Sequence, residues 1–129
     1  MSRDYVELAR SFEKCDIDAG AFGHMDHVGV AYEMLRRYDF IDASARYSRS
    51  INTIATSAGA ADKFNTTITL AFLSLIAERM NTTHYNSFDD FIEQNQDLLS
   101  AKVLAKWYSP ERLGSDLART VFLMPDAAG

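Results

Sequence analysis

The stretch FNTTITLAFLSLIAERM, residues 64–80, decides the fold. At about 100° per residue, Ile68, Leu70, Phe72, Leu73, Leu75 and Ile76 spread over nearly all sides of one helix. A helix that is apolar all round is buried all round. The pattern therefore predicts a central helix, with residues 68–77 the most buried part of the chain.

Working toward the N-terminus, a helix is predicted from Asp39 or Ile41 to SAGA, where Gly59 suits the C-cap. Its expected inner face carries Phe40, Ser44, Tyr47, Ile51, Ile54 and Ala58. A further helix spans about His24 to Tyr38. Its inner stripe holds His24, His27, Val28, Ala31, Leu35 and Tyr38, with Asp26, Glu33 and Arg37 on a solvated side. An amphipathic helix over Asp4–Lys14 buries Tyr5, Leu8, Ala9 and Phe12.

Toward the C-terminus, Ser87 caps FDDFIEQNQDLL, and a turn of helix covers Ala101–Trp107. YSPERLGSDLARTVFL begins with Ser109 as N-cap and Pro110 at the first helical position, and Pro125 ends it before a frayed tail. TVFLM is the one ambiguous strand signal. The expected architecture is all-α: a single-domain, irregular bundle of five to seven helices over residues 1–129.

Bulk properties agree with that class. The chain of 129 residues has the length of one domain and can bury roughly two thirds of its unfolded surface. Two prolines and six glycines favour long regular elements. Thirteen basic residues against eighteen acidic ones give a net charge of −5, with no basic stripe for a phosphate backbone, so nucleic acid is not an expected partner. No apolar run approaches the ~20 residues of a membrane span, no lipidation signal is present, and the N-terminus lacks the apolar core of a signal peptide. A lone cysteine, Cys15, forms neither an internal disulfide nor a multi-cysteine metal site. A cytoplasmic location is expected.

Chemistry concentrates in a few positions. His24 and His27 lie three apart on an otherwise aliphatic face, where both rings can reach one ligand or serve as hydrogen-bonded core groups. Asn65 and Thr69 sit four apart on the central helix, and Asn65 and Thr66 also suit its N-terminal cap. Tyr47 faces inward with a hydroxyl to satisfy, and Glu78 is the best carboxylate to pair with an imidazole, although a helix emerging into water explains it too. HxxH alone supplies two ligands where zinc takes three or four, and His84 sits in the polar loop NTTHYNS, so no metal and no cofactor are expected. Phosphate loops and nucleophile elbows are missing from the sequence.

Three segments, FGHMDHVGVAYEML, DKFNTTITLAFLSLIAERM and WYSPERLGSDLARTVFLMPD, carry a resemblance. Together they are similar to an uncharacterised family of small bacterial all-helical proteins with an HxxH helix and a C-terminal YS…AR…PD segment. The resemblance implies no activity. It does imply that His24, His27 and FNTTIT matter. It also implies relatives with Tyr-His where this chain has Phe64-Asn65, so that a three-histidine cluster is reduced to two here.

The expected function is a small polar or carboxylated metabolite bound between the second, third and fourth helices. His24 or His27 would transfer protons in an elimination, isomerisation or cyclisation, and Asn65, Thr69, Tyr47 and Glu78 would contact the ligand. Two alternatives stand beside it: a structural module or accessory subunit with core histidines, and a metal-dependent enzyme using the same pair. A homodimer is compatible with each, because the Phe-rich C-terminal segments offer apolar cover for a neighbour.

Overall fold

A computed structural model describes residues 4–100 and 102–127. The fold is all-α, and no strand occurs among the described residues. The α-helices run α1 Tyr5–Glu13, α2 His24–Arg37, α3 Phe40–Ser57, α4 Thr66–Thr82, α5 Phe88–Glu93, α6 Pro110–Leu113 and α7 Asp116–Thr120. Short 3₁₀ turns occupy Ala19–Ala21, Ala61–Lys63, Gln96–Leu99 and Val103–Lys106.

Local chemistry sets most of these boundaries. Asp4, Asp39, Asn65, Ser87, Ser109 and Ser115 each accept a hydrogen bond from a backbone N–H of the helix that follows. Such a cap satisfies one of the donors that every helix start leaves unpaired. Gly59 takes φ +74° just beyond α3, a left-handed turn that costs a glycine nothing. The predicted C-terminal helix breaks in two at Gly114, since Ser115 starts a second capped helix. It stops at Thr120, and residues 121–127 follow without helix. The turn expected over 101–107 is the 3₁₀ segment Val103–Lys106, and Ala101 lies outside the described residues.

The core departs from expectation in one respect that matters. The most buried helix is α2, where Asp26, Val28–Tyr32, Glu33 and Met34 are all buried. In α4 the buried residues are Thr67, Leu73, Leu75 and Ile76, while Ile68 is 40% exposed and Leu70 and Phe72 are half-buried. The reason is packing on two sides: α1 lies across one face of α2, and α3 and α4 cover others. Asp26 and Glu33 are accordingly not on a solvated side. Asp26 tolerates burial because Tyr5 Oη–H donates to Oδ1 at 3.0 Å and the Gly23 N–H donates to Oδ2 at 2.9 Å. Glu33 is paired with Arg36 at 2.9 Å. Gly29 lets the Tyr5 ring approach so closely that a Cβ there would stand 2.5 Å from a ring carbon. On α3, Ser44, Tyr47 and Ile54 turn inward as predicted, but Phe40 and Ala58 are exposed at its two ends. Cys15 is half-buried rather than core, at the left-handed φ of 57°.

Beyond Thr120 the chain returns over α4. Thr67 Oγ1 donates to the Val121 carbonyl at 2.7 Å and accepts from the Leu123 N–H at 3.1 Å. Tyr108 Oη–H donates to the Leu123 carbonyl at 2.9 Å, and Asp126 accepts from the hydroxyl and N–H of Ser109. The NTT sequence that opens α4 is therefore also the anchor for the C-terminal segment.

Candidate functional site

A cleft of about 380 Å³ opens beside the first turns of α2 and α4. His24 and His27 come from α2, and Tyr47, Ile51 and Ala55 from α3. Lys63 and Phe64 precede α4, whose own first turns supply Ile68, Thr69 and Phe72 behind the cap residue Asn65. Ser100, Val103 and Leu104 form the remaining wall, so the cleft is bounded by the 3₁₀ turn Val103–Lys106 as well as by the three helices expected.

The two imidazoles lie in different surroundings. His24 is an exposed residue at the cleft, not one turned into the core. Its Nε2 lies 2.9 Å from the Leu98 carbonyl. A carbonyl oxygen only accepts, so this nitrogen carries the proton, and in the neutral ring Nδ1 is the acceptor. His27 is half-buried, with Nδ1 at 3.1 Å from the Tyr47 hydroxyl and its ring edge-on to Phe22 at 4.5 Å between centroids. Behind the cleft, Phe12 stacks on Phe22 and packs tilted against Tyr47, so aromatic rings back His27.

Burial lowers the His27 pKa to about 4; the nearby His24 pushes the same way, and Asp26 opposes. At neutral pH His27 is therefore an uncharged imidazole. Tyr47 is 4% exposed, and burial raises its pKa well above the ordinary phenol value, so its hydroxyl stays protonated. The ring centroids of His24 and His27 are 6.5 Å apart.

Five of the six positions singled out in the sequence meet here: His24, His27, Tyr47, Asn65 and Thr69 all line this cleft. Asn65 is occupied structurally, since Oδ1 caps Ile68 N–H and Nδ2 donates to the Leu113 carbonyl at 2.7 Å. Glu78 is the exception. Three helical turns further along α4, it lines a separate cleft with Trp107, Phe122 and Met124 and does not face the histidines. Its neighbour Arg79 forms a two-point ion pair with Asp97, at 2.6 and 2.8 Å. Among the described residues, no three His, Cys, Asp or Glu side chains converge as a metal would require, and His84 is exposed.

Lys63, Phe72 and Ser100 belong to the cleft and are not among the site residues expected from the sequence. Lys63 had one available signal, its place two residues before a helix-capping asparagine. Phe72 was read as core, and only the exposed flank of α4 makes it a wall. No protein-family profile, curated protein or solved structure matches this chain.

Proposed function

We propose that this is a cytoplasmic protein that binds a small organic molecule in the histidine cleft and acts on it without a cofactor, by proton transfer of the lyase or isomerase kind. The observation that supports the reading is the convergence of both imidazoles, Tyr47 and Thr69 on one solvent-open, mostly apolar cleft, the form that ligand sites commonly take. His24 is the group to move the proton. It sits at the exposed side, and its N–H is fixed by the Leu98 carbonyl, which leaves the second nitrogen for a substrate. His27 is a positioning group: a base with a pKa of about 4 is too weak to take a proton at neutral pH, and its Nδ1 is already engaged by Tyr47.

One specific observation favours a second reading. Both imidazoles have partners inside the protein, as core histidines of a non-catalytic module would. Substituting His24→Gln and His27→Gln singly distinguishes the two. Proton transfer contributes typically about 10²–10⁴-fold in rate. The enzymatic reading therefore expects His24→Gln to lose activity on that scale with its melting temperature unchanged. Full turnover in His24→Gln, or collapse of the fold in both variants, assigns the histidines to structure.

A further inference from the structure

The charge in the cleft runs against the charge of the protein. The chain carries five more acidic than basic residues, yet no Asp or Glu is among the described residues that line the cleft. Its ionisable groups are Lys63, His24, His27 and the phenol of Tyr47. Lys63 forms no ion pair among the described residues, although Asp62 adjoins it in sequence. It ends the 3₁₀ turn Ala61–Lys63, two residues before Asn65, the cap of the 17-residue α4, whose start also faces this space through Asn65, Ile68 and Thr69. A free ammonium beside the positive end of a helix dipole favours a negative group. Apart from Asn65, Thr69 and Ser100, the rest of the lining is hydrocarbon, chiefly Ile51, Phe64, Ile68, Phe72, Val103 and Leu104.

Those two halves set the ligand's chemistry. Transferring a uniformly polar metabolite onto six apolar side chains would strip its water without replacing the hydrogen bonds. A purely apolar ligand would leave Lys63 unused. We propose that the cleft takes an amphipathic organic anion, with an apolar body against the α3–α4 wall and one compact anionic head at Lys63. Its volume stands near the lower end of ligand cavities, roughly 300–1,000 Å³, which suits a short-chain or single-ring acid. The assignment rests on the proposed ligand-binding role of this cleft and narrows the expected polar or carboxylated ligand to an amphipathic anion.

The test uses the full chain and four eight-carbon probes: octanoate, octyl sulfate, octanol and octylammonium. Binding is measured by calorimetry, and the imidazole resonances of His24 and His27 are followed by NMR on the same samples. Octanoate is expected to bind saturably and shift at least one imidazole, with octanol and octylammonium at least about tenfold weaker, the worth of a charge-assisted hydrogen bond. Lys63→Gln should weaken octanoate by about tenfold and leave octanol unchanged. Lys63→Glu should invert the preference toward octylammonium. Octyl sulfate binding as tightly as octanoate identifies the head as any compact anion; much weaker sulfate binding narrows it to a carboxylate, and both outcomes uphold the class. Octanol or octylammonium matching octanoate, or Lys63→Gln binding octanoate as the parent does, overturns the assignment but leaves a histidine cleft that binds small molecules. If none of the probes shifts either imidazole, the anion assignment fails, and the ligand-binding role loses its support with it.

Discussion

Acidification reads the environment of His27 directly. Burial holds its folded-state pKa near 4, against 6.5 for the free side chain. Between those values the unfolded chain binds a proton that the folded chain refuses. Stability from this residue is therefore complete above about pH 6.5 and declines as the pH falls toward 4. Integrated from pH 7.5 to 4.5, the loss comes to about 2.5 kcal/mol. The carboxylates with depressed pKa values, Asp90, Asp97 and Asp126, start from an ordinary value of 3.8, and their contribution is lost essentially below this window. Urea unfolding of the parent and of His27→Gln at pH 7.5 and 4.5 isolates the histidine, because every other titration is common to both. The parent should lose about 2.5 kcal/mol more than the variant, a relative midpoint shift of about 1–2 M urea for a domain of this size. Parallel pH dependence in the two proteins would falsify the claim that burial governs His27, and with it the division of roles between the two imidazoles.

Four further outcomes are expected. Gly29→Ala should cost a net ~2 kcal/mol by thermal unfolding, since the new methyl meets the Tyr5 ring and the helix-propensity gain of about 1 kcal/mol offsets only part of the overpacking. Thr67→Val keeps shape but strands the Val121 carbonyl and the Leu123 N–H; a loss of about 1–2 kcal/mol and faster hydrogen exchange at Leu123 should follow. Leu73→Asp, at a fully buried position, should cost several kcal/mol, and a variant melting within a degree or two of the parent would contradict the placement of α4. Glu78→Gln should leave octanoate affinity within about twofold by calorimetry, because its side chain opens on the other cleft.

The fold was legible where one local rule sufficed. Caps at Asp39, Ser87 and Ser109 and the left-handed turn at Gly59 need only nearest neighbours, and they delimit the observed helices. The ranking of burial was not legible, because it depends on how many elements meet a helix. Seen alone, α4 is the greasier segment. Seen in place, α2 is enclosed even at Asp26, whose carboxylate is satisfied by a tyrosine twenty-one residues earlier. No periodicity encodes that pairing. The same limit governs the site. That His24, His27, Tyr47, Asn65 and Thr69 share one cleft is legible because polar groups on apolar faces are conspicuous. Glu78 was misassigned because three helical turns separate it from the start of α4. Lys63 was overlooked because a lysine in a polar turn looks like any other until the wall opposite it is known.

The spacing of three between the histidines now has a physical consequence. One helical turn brings the rings to 6.5 Å, near enough that charging one opposes charging the other. Tyr47 and the rings of Phe12 and Phe22 belong to the packing that buries His27, and that burial keeps it neutral. An anion at Lys63 would act on the same balance, since negative charge in the cleft favours protonation of whichever imidazole it reaches. Protonating His27 would place a charge against Phe22, so burial opposes proton uptake there even beside a bound anion.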